Sequence, residues 1–368
     1  MDSAGPILIS VIIPVHNSAK YLKECLDSIL TQTFPLSQVE VSVWDDCSTD
    51  NSLQMVEEFR TSLENRGGRL VIGGSNGDQQ PKGCGFAKNK AIEQSSGEFL
   101  CFLDSDDVIA PRRLEAQLAE ARKKKENGCD AATHGPQHVL VGSRFHRIPE
   151  ASTARYTQWA NTLPQHLLDV QVFTSHGPTI IMPTWFCARE TYSRIPGGFS
   201  EQGKGTPEDL IFFYKHLDLG GSIRRVDEDL LMYRYHPNAT TFSISEETIW
   251  ELRLRRLEER LLICPGGWQG FTIWNAGKQG KRFYRGLCQK ARSKVRGFCD
   301  VDPKKIARGE YVFEESPLRP KPRLPIVHFT QVRPPLVICV KINLMPGGFE
   351  ENLASLGLTE GRDYVHFA

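Results

Sequence analysis

Three aspartates directly follow an apolar segment in the stretch LDSDDV, residues 103–108. As anions, Asp104, Asp106 and Asp107 repel one another, so their clustering needs a compensating positive charge. A divalent cation would supply that charge, and ligands that are all oxygen atoms suit Mg²⁺ or Mn²⁺. Mg²⁺ usually takes only one or two carboxylates and fills its shell with water and phosphate oxygens. The stretch therefore predicts a metal ion that carries a nucleotide diphosphate.

Two earlier apolar runs also end in polar residues. His16 and Asn17 follow the first run, and Asp45 and Asp46 follow the second. In open α/β sheets ligands bind beyond the carboxyl ends of the strands, so three such ends predict one shared site. Each pair taken alone is equally typical of a turn or a helix cap, because Asp and Asn favour both.

The elements that would position these residues alternate in type. Strand patterns at 7–17, 39–52, 69–74 and 97–108 alternate with helical patterns at 20–33, 53–64 and 85–96. Such alternation predicts an α/β fold whose sheet is mainly parallel and carries helices on both faces.

The composition is that of an ordinary globular chain. Its 368 residues are 40% hydrophobic, 24% charged and carry a net charge of +1, and the length is sufficient for two domains. The first apolar run lacks a basic flank and is far shorter than the roughly 20 residues of a membrane-spanning helix. The 10 cysteines include no CxxC pair, which favours reduced thiols. We therefore expect a cytoplasmic protein that does not bind a membrane.

The motifs together resemble family 2 glycosyltransferases with the GT-A fold, over about residues 7–240. The segments that carry the resemblance are PVHN, YLKECLDSILTQT, WDDCSTDNS, FAKNKAI, GEFLCFLDSDD, PEDLIFFYKHL and LMYRYH. The resemblance implies a UDP-sugar donor, a divalent cation (Mn²⁺ or Mg²⁺) and an inverting transfer to an acceptor hydroxyl.

A second set of segments is similar to the members of that family that add galactose to queuosine in the tRNA anticodon loop. These segments are YTQW, VFTSHGPTIIMPTWFC, FTIWNAGKQGKR and LTEGRDYVHF. The resemblance implies UDP-galactose as the donor and tRNA as the acceptor. The residues by themselves do not distinguish galactose from N-acetylglucosamine.

The family resemblance implies roles for residues on the nucleotide side of the site. Pro14, His16 and Asn17 would line the nucleotide pocket, and Asp46 would accept a hydrogen bond from the uracil N3–H. Lys88 stands where many relatives have Arg, so it would contact phosphate as a point charge.

The acidic stretch and a distant histidine would hold the metal and the donor. Asp106 and His236 would be the metal ligands, Asp104 would contact the nucleotide or its sugar, and Asp107 would support them. A lone histidine is also commonly structural.

Asp209 occupies the position of the catalytic base in this family, and the neighbouring Glu208 would contribute to substrate binding. Both acids follow Pro207, so they are equally typical of a helix N-terminus, where the helix dipole favours negative charge. Trp185 would stack against the acceptor, although its apolar neighbours are typical of a core residue.

Residues 1–244 would form the catalytic domain and residues 245–368 a second, smaller domain with a Rossmann-like fold. A helical pattern at 245–262 precedes strand, turn and helix at 271–287 and another strand at 294–305. The turn resembles a dinucleotide-binding fingerprint, but Asn275 replaces its first glycine. A nucleotide site is therefore not established by this pattern.

Eight cations and no acid fall between residues 278 and 296. Four of them recur at helical spacing: Lys278, Lys281, Arg282 and Arg285. A cationic helix face is ordinarily just solvated, but beside Phe283 and Tyr284 it also suits an RNA backbone. The pattern, with the resemblance, predicts that this domain binds tRNA.

Other classes of protein remain open at this point. They are a transferase that uses UDP-N-acetylglucosamine on a glycan, a non-catalytic RNA-binding protein, and a nucleotide-dependent oxidoreductase built on residues 271–302. A glycoside hydrolase would use paired carboxylates and would need neither a metal nor a uridine pocket.

Overall fold

The computed structural model describes residues 6–75, 80–123, 138–174, 177–237, 239–341 and 348–367. The chain divides into two compact units. The first is Met1–Asp169 with Pro178–Ile244, and the second is Val170–Gly177 with Ser245–Ala368. Among the described residues, no helix combines the length and the apolar character needed to cross a membrane.

The first unit is built around an eight-stranded sheet of order β3-β2-β1-β4-β7-β6-β8-β5. Its strands are β1 (Ile9–Val15), β2 (Val39–Asp45), β3 (Arg69–Gly74), β4 (Phe99–Phe102), β5 (Val108–Ile109), β6 (Val139–Ile148), β7 (Phe186–Ala188) and β8 (Ser222–Arg234). Its helices are α1 (Ala19–Leu30), α2 (Ser52–Glu64), α3 (Cys84–Glu93), α4 (Arg113–Arg122), α5 (Ala154–Thr162), α6 (Arg189–Ser193) and α7 (Glu208–Asp218).

The strands β3, β2, β1 and β4 are parallel neighbours, as the alternating pattern predicts. All seven residues of β1 are buried, which is typical of a strand covered by helices on both faces. Because the strands are parallel, the residues that follow β1, β2 and β4 emerge at one edge of the sheet. The alternation of strands and helices in the sequence therefore predicts the edge of the sheet at which a site can form.

The other half of the sheet departs from the predicted parallel arrangement. β7 runs antiparallel to both β4 and β6, and β5 runs antiparallel to β8. β7 has only three residues and lies in a continuous apolar run, so it has no alternation from which its direction could be predicted. The long β8 returns the chain to the edge at which β4 ends.

The second unit contains a six-stranded sheet of order β11-β12-β10-β9-β13-β14. Its strands are β9 (Phe271–Trp274), β10 (Val295–Asp300), β11 (Glu310–Val312), β12 (Arg323–His328), β13 (Leu336–Ile338) and β14 (Tyr364–His366). Its helices are α8 (Glu246–Leu257), α9 (Lys278–Gly286), α10 (Gln289–Arg292), α11 (Pro303–Ile306) and α12 (Gly348–Ser355). A π-helical turn, Glu258–Leu262, continues α8 to the end of the predicted helix.

Five strands of this sheet are parallel, and only the edge strand β11 is antiparallel. Taken in chain order, the parallel strands lie in the sequence third, second, first, fourth, fifth, which is the order of doubly wound folds. Trp274 packs with Phe329, Leu336 and Ile338 in the core. The predicted α/β fold class, with a Rossmann-like second sheet, is confirmed.

Candidate functional site

The three aspartates of the acidic stretch lie on the turn between β4 and β5. The backbone N–H of Asp107 donates to the carbonyl oxygen of Asp104 at 3.1 Å. The side chains of Asp104 and Asp106 are 26% exposed, whereas Asp107 is 1% exposed. Asp104 and Asp106 are therefore accessible to a ligand, and Asp107 supports the turn from the interior.

Asp107 is a buried carboxyl group with one unsatisfied oxygen. Its Oδ1 accepts a hydrogen bond from the backbone N–H of Arg234 at 2.8 Å. Its Oδ2 is buried without a hydrogen-bond partner in the described part of the chain. Burial raises the pKa of Asp107 well above its ordinary value, and the charges of Asp106 and Asp104 raise it further. This carboxyl group therefore favours its protonated form, which lessens the repulsion in the cluster.

Asp106 is paired with the histidine that the sequence assigned to the same site. Its Oδ2 lies 2.8 Å from His236 Nε2, and the imidazole packs on the ring of Tyr21 at 5.0 Å. Arg234, which sequence analysis missed, donates from Nε to the carbonyl oxygen of Asp106 at 3.0 Å. Side chains two residues apart on a strand share a face, and this spacing of Arg234 and His236 could have revealed it.

Lys88 is a fully buried cation that links the acidic stretch to the start of α7. Its Nζ donates to Glu208 Oε1 at 2.8 Å and lies 4.0 Å from Asp104 Oδ1. Burial raises the pKa of Asp104 to about 6, against the opposing effect of Lys88. The ligand contacts expected of Lys88 and Glu208 stay predictions, and the structure gives both residues an internal ion pair.

Asp209 is the second residue of α7 and remains partly exposed. Its Oδ1 accepts a hydrogen bond from the backbone N–H of Leu210 at 2.7 Å. Burial raises the pKa of Asp209 to about 7, the charge of Glu208 raises it further, and Lys88 opposes the shift. A carboxylate with a pKa near neutrality is suited to take a proton from a hydroxyl group.

The residues that follow β1 and β2 contact one another in the region where the sequence predicts a nucleotide pocket. His16 Nδ1 lies 2.6 Å from the carbonyl oxygen of Asp46. The carboxylate of Asp46 accepts hydrogen bonds from the backbone N–H groups of Lys82 and Gly83 at 3.0 and 2.7 Å. Asp46 thus positions the segment before α3, and its contact with uracil stays a prediction.

Asn17 and Pro14 shape the same region in different ways. Asn17 has a φ of 48°, and its Oδ1 accepts a hydrogen bond from the backbone N–H of Thr49 at 2.8 Å. Pro14 is buried within β1 opposite Trp44. Both residues lie where the sequence predicts a nucleotide pocket, and their contacts with a nucleotide stay predictions.

The prediction that Trp185 stacks on the acceptor is wrong. Trp185 is 0% exposed, and its indole N–H donates to the carbonyl oxygen of Ile180 at 2.9 Å. Its ring packs against Phe199, Phe212 and Phe213. The apolar neighbours of Trp185 therefore indicate its true place, which is the core beneath the site.

An aromatic cluster that sequence analysis missed surrounds Arg147. Its guanidinium carbon lies 4.4 Å from the ring centre of Tyr233, 5.0 Å from Tyr235 and 5.6 Å from Tyr156. Burial raises the pKa of Tyr156, with Arg147 opposing and the charge of Asp209 adding to the shift. The cluster lies where β6 meets the end of β8, because Arg147 is paired with Tyr233 in register. The two tyrosines in YRYH, spaced by two, are the signal that could have revealed it.

The RNA contact of Arg282 in the second unit stays a prediction, and the structure gives this residue partners within the unit. Its guanidinium group lies 4.0 Å from the ring of Trp250 and pairs with Glu246 at 2.9 Å and with Glu247 at 2.5 Å. These acids begin α8, and the charge of Arg282 is balanced within the unit. A count of charges along α9 does not reveal partners that lie on another helix.

The other predicted cations of α9 keep their charge available. Lys278, Lys281, Arg285 and the more distant Arg308 have no carboxylate within salt-bridge distance among the described residues, and we call these four residues the basic face. Burial lowers the pKa of Lys281, and the charges of Arg308, Arg285 and Lys305 lower it further. Like charges are thus concentrated here, as an anionic partner requires.

Asp300 is the acid that follows the incomplete dinucleotide fingerprint, and its carboxylate already accepts hydrogen bonds from groups of the protein. Asp300 Oδ2 accepts from Ala276 N and Lys305 Nζ, each at 2.9 Å. Asp300 Oδ1 accepts from Val301 N at 2.9 Å and Asp302 N at 3.1 Å. This carboxylate closes the turns of the sheet edge, so its geometry does not favour the oxidoreductase interpretation.

Two protein side chains in the first unit are suited to hold a divalent cation. Within the described ranges, no group of three or more His, Cys, Asp and Glu side chains is arranged as a metal site. Asp106 and His236 nevertheless offer one carboxylate and one imidazole side by side, a donor set that suits Mn²⁺. Burial and then the charges of neighbouring acids raise the pKa of Asp104 and Asp107, and a cation would offset both effects. Water and phosphate oxygens would complete its shell.

Comparison with known proteins identifies relatives of the first unit. Residues 10–184 match the family model described as Glycosyl transferase family 2. The poly(ribitol-phosphate) beta-N-acetylglucosaminyltransferase TarS of Staphylococcus aureus is 42% identical over 110 residues, which are 30% of this chain and 18% of that protein. The poly(ribitol-phosphate) beta-glucosyltransferase of Bacillus spizizenii is 38% identical over 122 residues, which are 33% of this chain and 18% of that protein.

A solved structure shares the fold more extensively than the sequence does. The crystal structure of TarS from S. aureus in complex with UDP-GlcNAc superposes with a TM-score of 0.50 and 22% identity, covering 78% of this chain and 74% of that one. The likeness supports the fold. The alignments cover about a fifth of the length of the two curated relatives, 18% in each case.

Proposed function

We propose that the chain, whose residues 10–184 match the model of glycosyl transferase family 2, is an inverting galactosyltransferase acting on queuosine in the tRNA anticodon loop. The donor is UDP-galactose. The observation that carries sugar transfer is the ion pair of Lys88 with Glu208, which holds Asp209 at the start of α7 close to the acidic turn at Asp104. A base and a diphosphate-binding turn are thereby joined in one site.

The proposed reaction is a single displacement at the anomeric carbon of the donor. The acceptor hydroxyl gives its proton to a carboxylate oxygen of Asp209, and its oxygen forms a bond to the anomeric carbon. The bond from that carbon to the UDP oxygen breaks, and its electron pair leaves with UDP. One displacement inverts the configuration of the anomeric carbon.

Asp106 and His236 would hold the divalent cation of this reaction. When bound, the cation supplies positive charge to the diphosphate leaving group. Lys88 would contribute a second positive charge close to the acidic turn, because its amino group lies 4.0 Å from Asp104 Oδ1. Burial lowers the pKa of this amino group, but the nearby acids raise it by more and keep the group protonated. Asp107 lies in the interior and stabilises the turn, because its Oδ1 accepts a hydrogen bond from the backbone N–H of Arg234.

The choice of donor sugar rests on the resemblance of the C-terminal and central segments to the tRNA-modifying members. TarS bears the name of a beta-N-acetylglucosaminyltransferase and crystallises with UDP-GlcNAc. This favours a second candidate function, in which UDP-N-acetylglucosamine is the donor and a glycan is the acceptor. A non-catalytic RNA-binding protein is the remaining alternative.

The proposed tRNA acceptor is supported by the basic face. Three of its cations lie on α9, and Arg308 follows α11. Phosphate groups dominate the affinity of proteins for RNA, so such a surface suits a tRNA backbone. An anticodon loop can also present an unstacked base to a second site more cheaply than a helix can.

The decisive experiment is a transfer assay with a panel of donors. The purified chain is incubated with labelled UDP-galactose, UDP-glucose or UDP-N-acetylglucosamine, Mn²⁺, and tRNA with or without queuosine. We expect label in tRNA only with UDP-galactose and only when queuosine is present. Label on poly(ribitol phosphate) with UDP-N-acetylglucosamine would support the second candidate, and RNA binding without any UDP release would support the third.

Reversing charge on the basic face should weaken the use of tRNA. The double variant Lys281→Glu with Arg285→Glu should raise the KM for tRNA by about tenfold or more, because two phosphate contacts are lost. The dependence of log KM on log salt should become shallower by about one per cation removed. Steady-state kinetics at several salt concentrations measure both quantities.

Two controls separate this effect from a general change of charge. Lys23→Glu with Lys123→Glu alters two exposed lysines of the first unit, each paired with a nearby acid, and should leave the KM for tRNA unchanged. Arg282→Glu breaks internal pairs and should lower stability more than it alters the salt dependence. The basic face is not the RNA surface if the double variant keeps the wild-type KM and salt slope.

A further inference from the structure

The aromatic side chains around Arg147 have no part in the chemistry proposed above. Tyr233 and Tyr235 flank the end of β8 and stack on the guanidinium group of Arg147. Phe242 packs 5.1 Å from Tyr235, ring centre to ring centre, and is 53% exposed. With Tyr156, these five residues form what we call the aromatic platform. Phe242 is therefore the ring of the platform that is open to solvent, and Tyr235 beside it is half-buried.

The end of β8 joins the platform to the acidic turn. Arg234 and His236 contact Asp106, whereas Tyr233 and Tyr235, which alternate with them, contact Arg147. Because successive side chains of an extended segment point to opposite faces, one segment supplies both surfaces. The two surfaces therefore lie on opposite faces of one four-residue segment and are separated by no more than one strand.

The chemistry of the platform selects a flat aromatic group. The guanidinium carbon of Arg147 lies 4.4–5.6 Å from three tyrosine ring centres, and Arg147 has no acidic partner within salt-bridge distance among the described residues. Guanidinium groups and aromatic rings both stack on planar π-systems. Its Nε is buried without a hydrogen-bond partner in the same set. Unpaired nucleobases bind proteins through such aromatic and arginine stacking. A polyol phosphate has no planar ring and would not use this surface.

We propose that the aromatic platform stacks an unpaired nucleobase of the RNA acceptor at the end of β8, within one strand of the residues that contact Asp106. The inference rests on the proposed function, because it takes RNA as the acceptor. It goes beyond that function by assigning the acceptor subsite to Arg147, Tyr233, Tyr235 and Phe242. The platform would hold one base of that RNA.

A stacking reporter tests the assignment without relying on turnover. An anticodon stem-loop RNA that carries 2-aminopurine in its loop loses fluorescence when that base stacks on an aromatic ring. The wild-type protein should quench the signal. Phe242→Ala and Tyr235→Ala should each weaken binding by about tenfold and remove most of the quenching, since stacking on one ring contributes about that much. Tyr235→Phe, which keeps the ring, should retain both.

Leu219→Ala is the matched control, because Leu219 is 41% exposed and precedes the opposite end of β8. It should leave binding and quenching unchanged. If the RNA binds and accepts sugar but the alanine variants quench like the wild type, the platform is not the acceptor subsite and the proposed function stands. If sugar goes only to poly(ribitol phosphate), or the RNA does not bind, the RNA acceptor fails and the platform assignment fails with it.

Discussion

Replacing Asp209 by Asn should lower kcat by about 10²–10⁴-fold while leaving the Kd for UDP nearly unchanged. The amide has the shape of the carboxylate but cannot take the proton of the acceptor hydroxyl. UDP binding should persist, because Asp209 lies on α7 whereas the acidic turn follows β4. Transfer kinetics and calorimetric titration with UDP and Mn²⁺ measure the two effects separately.

Glu115→Gln is the matched control for this substitution. Glu115 lies in the first turn of α4, so its loss removes the same favourable interaction with a helix dipole. Glu115→Gln should lose a small amount of thermal stability and keep its activity. Asp209→Asn should lose activity without losing stability at about pH 7 or above, because the raised pKa of Asp209 shows that folding disfavours its ionised form. An Asp209→Asn enzyme with wild-type turnover would leave Asp209 as a helix-start acid and nothing more.

The pH dependence of the same residue gives a second check. Because burial raises the pKa of Asp209 to about 7, the carboxyl group is protonated below that pH and cannot act as a base. The kcat/KM should therefore fall as the pH decreases through about 7 and level off above it. A profile that stays flat down to about pH 5 would contradict a base with this pKa.

The sequence predicts the edge of the sheet at which the site forms, because that part of the fold depends on local signals. Alternating strand and helix patterns make β1, β2 and β4 parallel, and their polar ends then meet at one edge. His236 and Asp106 are paired across 130 residues of sequence, and the motif order places them in one site before any coordinates are considered.

The internal partners of the charged residues could not be predicted in the same way. Lys88 pairs with Glu208 because α3 and α7 pack together, and nothing near either residue in the sequence indicates that contact. Arg282 meets Glu246 and Glu247 for the same reason, since α8 packs on α9. Helical spacing predicts which side chains share a face, but it does not predict what covers that face.

The error over Trp185 has a related physical origin. The apolar run around it contains β7, a short antiparallel strand that fills the sheet between β4 and β6. A strand buried on both faces offers no polar alternation, so a functional aromatic and a core aromatic look the same in sequence. The exposed ring of Phe242 and the half-buried ring of Tyr235 lie instead in a polar stretch of sequence after β8.

Replacing Asp106 by Ala should weaken the metal-dependent part of UDP binding by at least about 100-fold. Substituting groups that merely support a metal ligand costs about 10–100-fold, and losing one of the two protein ligands should cost more. The protein is titrated with UDP once in the presence of Mn²⁺ and once in the presence of EDTA. The ratio of the two affinities measures the metal-dependent part of UDP binding, and this ratio is compared between the wild type and the variant. EDTA should reduce UDP binding strongly in the wild-type protein and little in the variant.

The stability of the same variant distinguishes a lost ligand from a damaged fold. Asp106→Ala removes both a charge that raises the pKa of the buried Asp107 and the contact with His236, so the two effects oppose each other and the melting temperature in metal-free buffer should change little. Added Mn²⁺ should then stabilise the wild-type protein in the presence of UDP but not the variant, because only binding to the folded state raises stability. Asp27→Ala, which removes an exposed acid of α1 paired with Lys23, should behave like the wild type throughout. If Mn²⁺ strengthens UDP binding equally with and without Asp106, the cation binds elsewhere, and the acidic turn has another purpose.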